Sequence, residues 1–342
     1  MIETGNHYAV WSVAFHSDGM QLLSGTQDGL QRWQVTDGQE VGNRMPMHVN
    51  AISVSRDGKW VGCGTTRGAT VWDAKTQEMA IEVEGTDYVT SVDISPESTR
   101  FATATFEGVQ PNFNYKANIW NIITGERLVG PLQHDAYTDG IKFSPNGEHI
   151  ATANDDSIRV FDSRNGDQLI TINASIPHWG ATTPLAWSNN GQQIFTAFRD
   201  RKIKSFDVST GSQLAELQVH GSDEVVSIAL AGNGKFLTTF AGRSNSISFW
   251  DTSTLTQIGP AIEDSQHIRS IALSSDCSYL VTGGYDGIIT IRNLNNILPD
   301  MYGPFRVSIS ACTILLDKSH TFFPISISSL DTYSRRTRIG KT

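Results

Sequence analysis

One short ending recurs seven times along the chain. An aromatic residue, usually followed by Asp or Asn, closes a brief apolar run at Trp33-Gln34, Trp72-Asp73, Trp120-Asn121, Phe161-Asp162, Phe206-Asp207 and Trp250-Asp251, and in degenerate form at Arg292-Asn293. Successive endings lie 39, 48, 41, 45, 44 and 42 residues apart. A period near this length with this ending predicts one four-stranded sheet per repeat. A single such sheet cannot bury both of its faces, so the sheets are expected to stack around an axis as a ring.

The segment Ala136–Asp162 shows the unit. Gly140-Ile-Lys-Phe143 alternates as a strand should, and Ser144-Pro-Asn-Gly147 is a turn in which Pro presets φ and Asn-Gly accepts positive φ. Ile150-Ala-Thr-Ala153, Ile158-Arg-Val-Phe161 and Gln168-Leu-Ile-Thr-Ile172 are three further strands separated by turn residues. We label the four strands a to d. Across the repeats strand a carries apolar pairs such as Val13/Phe15, Ile52/Val54, Val92/Ile94 and Ile271/Leu273. Strand b carries a hydroxyl residue at one place, Ser24, Thr103, Thr152, Thr196, Thr238 and Thr282, with Cys63 the exception.

On these residues the chain resembles the WD-repeat family over residues 5–302. The resemblance implies an all-β fold: a seven-bladed β-propeller of four-stranded antiparallel sheets. It also implies a hydrogen-bond chain within each blade, from an Asp of the b–c turn through a His of the d–a connection and the strand-b hydroxyl to the strand-c Trp. The residues placed to form it are Ser24, Asp28 and Trp33; His134, Thr152 and Asp155 or Asp156; His178, Thr196 and Asp200; and Thr282 and Asp286. These Ser/Thr, His and Asp sets look like catalytic triads. They are expected to tie strands together instead, since the sequence has no G-x-S-x-G elbow. The chain departs from the pattern in places. Phe161 and Phe206 lack the indole N–H, a loss on the order of 1 kcal/mol per bond. Asn6, Met45, Gly85, Gly221 and Asp264 stand where His is expected, and Arg67 and Glu107 where Asp is expected.

Charge and composition narrow the function classes. The net charge is −9, from 26 basic and 35 acidic residues, which argues against nonspecific nucleic-acid binding. No apolar run is long enough to span a membrane, and Met1-Ile-Glu-Thr-Gly5 lacks a signal-peptide pattern, so an intracellular, cytoplasmic or nuclear setting is expected. Cys63, Cys277 and Cys312 have neither zinc spacing nor a disulfide framework. Gly62-Cys-Gly64 with Gly68 falls in a strand and turn rather than between strand and helix, so it is not read as a nucleotide loop. No metal, cofactor or catalytic residue is expected.

The d–a and b–c connections share one face, here called the top. The resemblance implies that a protein or peptide partner docks there, around the central opening. The residues placed to meet it are Tyr8, Tyr88, Tyr137, Trp179, Glu224 and His267 ahead of strand a, with Arg67, Arg199, Arg201, Arg243 and Tyr285 in b–c turns. Aromatic and Arg side chains are enriched at binding hot spots. The third repeat carries about seven extra residues within Glu107-Gly-Val-Gln-Pro-Asn-Phe-Asn-Tyr-Lys116, which add Phe113 and Tyr115 to that face. The reading is a non-enzymatic interaction scaffold or adaptor within a larger complex. The alternatives are a reader of phosphorylated or modified peptides, with Arg199, Arg201 and Arg243 as the anion site, and an enzyme built on a propeller.

Residues 303–342 break the pattern. The last blade needs a fourth strand, and Phe305–Ser310 alternates as a candidate. Otherwise the edge stays open, the chain is a piece of a longer array, or the tail is not native sequence.

Overall fold

The computed structural model describes residues 8–84, 88–109, 112–176, 184–219, 225–242, 244–264, 267–299, 301–302 and 312–315, the last four by backbone alone. It is nearly all β, and its sheets form a seven-bladed propeller. The innermost strands are Val10–Phe15, Ala51–Val54, Tyr88–Ile94, Thr138–Phe143, Leu185–Trp187, Val225–Leu230 and Ile268–Leu273. From each, the chain zigzags outward through antiparallel neighbours, so every described sheet is built from consecutive segments.

The recurrent ending has a physical explanation in two parts. The Asp or Asn after the aromatic caps the c–d turn: Asp73, Asn121, Asp207 and Asp251 each accept from the backbone N–H groups two and three residues on. The aromatic residue ties strand c to strand b. The indole N–H of Trp33 donates to Ser24 Oγ at 2.8 Å, and that of Trp120 to Thr103 Oγ1 at 3.1 Å. In the sixth blade the acceptor for Trp250 is Thr239, at 2.9 Å, and not Thr238. Pairing settles the register there: Ile228 faces Thr239, as Val13 faces Ser24 and Ile141 faces Thr152. In the second blade Cys63 offers no hydroxyl, and Trp72 donates to Thr70 on its own strand at 2.8 Å.

The expected Asp–His legs take other partners among the described residues. Asp28 faces Arg44 at 3.5 Å, Asp200 faces Lys204 at 3.2 Å, and Asp286 caps its own turn through the N–H of Ile288. The turn at Asp156 is held by Asn154, which accepts from the N–H groups of Asp156 and Ser157. His134 stands edge-on to Phe161 with both ring nitrogens unbonded among the described residues. Phe161 and Phe206 supply no N–H, so the Thr152 and Thr196 hydroxyls turn to the backbone carbonyls of Arg159 and Pro184. His178 lies outside the described residues. The seventh blade is rewired. Arg292, in the Trp position, donates to Thr282 Oγ1 at 3.1 Å and to Asp264 Oδ2 at 2.7 Å.

The ring closes through its inner strands. Val10, Val13 and Phe15 of the first blade pack against Val281, Ile289 and Ile291 of the seventh. Val13 N–H donates to Ser270 Oγ at 3.1 Å. The same device joins other neighbours, with Ile52 N–H on Ser12 Oγ, Ile94 N–H on Ser53 Oγ and Ile141 N–H on Ser91 Oγ. At the closing seam Gly283 is required by close approach: a Cβ there would sit 2.5 Å from Val10 Cγ1. Gly283→Val is therefore expected to destabilise the chain by about 2 kcal/mol, read as a lowered urea midpoint. An unchanged midpoint would mean that the seam is looser than described.

The outer strands are less regular. The first blade has three continuous strands, and its fourth edge is only bridged, at Glu40 and Met45. In the seventh, Cys312–Leu315 pairs with Ile288–Asn293 and supplies the outer strand; Phe305–Ser310 lies outside the described residues. Before reaching it the chain makes a short 3-10 turn at Leu294–Asn296 and crosses beneath the sixth blade. Leu294, Leu298 and Tyr302 are buried there with Phe236 and Phe249, and the Tyr302 hydroxyl donates to Asp251 at 2.6 Å.

Candidate functional site

The extra residues of the third blade do not form a loose loop. They lengthen the b–c hairpin into two ten-residue strands, Arg100–Val109 and Asn112–Asn121, which stand above the other blades' b–c turns. Antiparallel register then sets three rings in a row. Tyr88 of strand a faces Phe106 of strand b, and Phe106 faces Tyr115 of strand c. Phe113 joins from the hairpin tip, 5.7 Å from Phe106 between ring centroids, and Tyr137 from the fourth blade, 5.1 Å from Phe106. Each such pair is worth about 0.5–1.5 kcal/mol beyond simple burial. All five rings are partly exposed, so they form a packed surface that still faces solvent. Burial raises the phenol pKa of both Tyr88 and Tyr137, keeping both hydroxyls protonated.

A second group gathers around Trp11, from the first and seventh blades. Arg269, near the start of the seventh inner strand, lies 4.3 Å from the Trp11 ring and 4.9 Å from the Tyr285 ring, and donates a hydrogen bond to the Tyr285 hydroxyl. His48 lies 6.3 Å from Trp11, and burial lowers its pKa. The positive charge of Arg269 opposes the effect of burial at both Tyr88 and Tyr137. Below them the inner strands line a channel of about 530 Å³. Among the described residues no three His, Cys, Asp or Glu side chains gather as metal ligands, and no helix is long and apolar enough to cross a membrane.

Of the residues expected on this face, Tyr88, Tyr137, Phe113 and Tyr115 come together, and Tyr285 joins the second group. Tyr8 is half-buried ahead of the first inner strand, and His267 is exposed ahead of the seventh. Of the Arg residues expected there, Arg199 is engaged by the Ile176 carbonyl at 2.9 Å and by Asp155 at 3.5 Å, and Arg201 sits at positive φ in its turn. Trp179, Arg243 and Glu224 lie outside the described residues. Phe106, Trp11 and Arg269 escape a reading based on turns, because they sit within strands. The alternation of Phe106 with Ala104 and Ala102, both in the core, was the available signal for the first.

Residues 2–30, 129–162, 211–251 and 259–293 match the WD domain, G-beta repeat family. The chain is similar to the serine-threonine kinase receptor-associated protein of Gallus gallus, 24% identical over 246 residues, covering 69% of this chain and 61% of that one. It is similar to a guanine nucleotide-binding protein subunit beta of Arabidopsis thaliana, 26% identical over 189 residues, 51% of this chain and 49% of that one. It also resembles the small ribosomal subunit protein RACK1 of Drosophila melanogaster, 26% identical over 174 residues, 49% of this chain and 50% of that one. The chain thus spans about half to three fifths of the length of these relatives.

Proposed function

Since the chain belongs to the WD-repeat family, we propose that it is a non-enzymatic interaction scaffold that holds a peptide or domain of another protein on the top face. The observation that carries this reading is the five-ring surface of Tyr88, Phe106, Phe113, Tyr115 and Tyr137, raised above the neighbouring blades by the long hairpin. Rigid aromatic groups that are packed yet accessible give a partner contact area at little ordering cost. The relatives' names point the same way: one is receptor-associated, one a subunit of a guanine nucleotide-binding protein, and one a ribosomal subunit protein. An intracellular adaptor working within a larger complex fits both.

The test is quantitative co-purification with the intact chain against a Phe113→Ala, Tyr115→Ala double variant. Both rings stand on the hairpin above the core, so the variant should keep the fold with a lowered unfolding temperature, and recovery is compared at a temperature where both proteins are folded. Recovery of specific partners is expected to fall about tenfold or more in the variant. Equal recovery by both proteins would remove the aromatic surface from the docking site.

A further inference from the structure

Resting on the scaffold reading above, we propose that the five-ring surface takes a proline-rich segment of the partner in the extended polyproline II conformation. The rings are inclined to one another rather than stacked: Phe113 stands at 89° to Phe106, Tyr115 at 69° to Tyr137, and Tyr88 at 31° to Phe106. Inclined neighbours leave shallow clefts with an aromatic ring on each side. Along the hairpin and across to the fourth blade the ring centroids are 6.1 Å apart at Phe113–Tyr115 and 6.3 Å apart at Tyr115–Tyr137. A polyproline II chain has three residues per turn and rises about 3.1 Å per residue, so residues two apart are separated by about 6.2 Å along its axis. The step from ring to ring thus matches a step of two residues in such a chain.

Hydrogen bonding points to the same ligand. The hydroxyls of Tyr88 and Tyr115 make no hydrogen bond among the described residues, and both rings are partly exposed. A proline-rich chain has no internal hydrogen bonds and few N–H groups, so it offers mainly carbonyl oxygens. Phenol donors set among apolar ring faces complement it: the faces receive proline rings and the hydroxyls receive carbonyls. The five side chains carry no formal charge, and at the hairpin Glu107 is engaged by Asn114 at 2.8 Å and by Lys116 at 3.2 Å. A cage for a methylated or protonated amine needs an open space walled by ring faces. Here Phe113 meets Phe106 edge to face and fills that space. Both partners are also stiff before they meet, the rings by mutual packing and the ligand by its proline content, so little freedom is lost on docking.

The experiment is a selection from a random dodecapeptide display library on the intact chain, followed by affinity measurements on single synthetic peptides at a temperature where every variant is folded. The expected result is an excess of proline in the selected pool. Replacing the prolines of a selected peptide by alanine should weaken binding about tenfold or more. The Phe113→Ala, Tyr115→Ala pair should lose binding by a similar factor. The Tyr88→Phe, Tyr115→Phe pair keeps every ring, guards against misfolding, and should bind about tenfold more weakly through the loss of two hydroxyls. A pool without proline excess would overturn the proposal, as would alanine-substituted peptides or a Tyr-to-Phe pair that bind unchanged. A pool dominated by Lys and Arg would overturn it in favour of cation recognition by the ring faces. If such non-proline peptides are still lost on the Phe113→Ala, Tyr115→Ala pair, the scaffold reading stands without the proline ligand. If selected peptides bind that pair as tightly as the intact chain, or none is selected, both fall.

Discussion

Asp264→Ala is expected to cost about 3 kcal/mol or more of stability, the largest effect foreseen for any single substitution away from the apolar core. The carboxylate and its partner Arg292 keep only 5% and 12% of their side-chain surface exposed, with 2.7 Å between Arg292 Nη2 and Asp264 Oδ2. Where other blades place an indole N–H against a neutral hydroxyl, this one holds two charges and a Thr282 hydroxyl that donates to the same oxygen. Removing one charge leaves the other buried and uncompensated, which is why breaking such a pair costs more than forming it returns. Arg292→Ala should fall by a similar amount. The double replacement Asp264→Leu, Arg292→Leu should cost less than either single change, because no charge is then stranded. Urea midpoints at neutral pH decide the matter, and single variants within about 1 kcal/mol of the parent would show that water already screens the pair.

The second large effect depends on pH. Burial, reinforced by the charge of Arg159, holds the His134 imidazole neutral and lowers its pKa from 6.5 to about 4. The unfolded chain takes up a proton near the ordinary value, whereas the folded chain does so only near the lowered one. Stability from this site is therefore complete above the unfolded pKa, falls as pH drops between the two values, and is level below the lower one. At pH 5 the loss is about 2 kcal/mol. His134→Leu keeps the contact with Phe161, removes two buried ring nitrogens, and should flatten the decline by that amount between pH 7 and pH 5. Parallel stability profiles for parent and variant would refute the assignment.

Much of the architecture was legible in the sequence because each blade is local. The strand endings, the turns and the strand-b hydroxyls repeat within segments that pair with their chain neighbours, so a period alone orders them. What was not legible depends on register or on distant partners. Thr238 and Thr239 are adjacent and chemically identical, and only the pairing of Ile228 tells which meets Trp250. Arg292 reads as a decayed repeat until Asp264 is seen beside it. The expected His legs presuppose an indole that Phe161 does not supply, so His134 packs as a ring rather than relaying a bond. On the top face, Tyr88, Phe113, Tyr115 and Tyr137 could be placed by their turns. Phe106, which joins them, lies inside a strand and is marked only by its alternation with Ala102 and Ala104, and Arg269 gains its meaning from Trp11 at the other end of the chain.

The way the ring closes has a mechanical consequence. No described sheet mixes strands from the two ends of the propeller, so Val10, Val13 and Phe15 meet Val281, Ile289 and Ile291 by side-chain contact and a few hydrogen bonds to Ser270 and Ser17. A backbone ladder loaded along its length shares tension over many bonds at once. A packed seam yields where it is first opened. Tension applied between the first blade and the last therefore parts the ring along that seam and turns a closed annulus into an arc, while each sheet, including the one completed by Cys312–Leu315, stays whole.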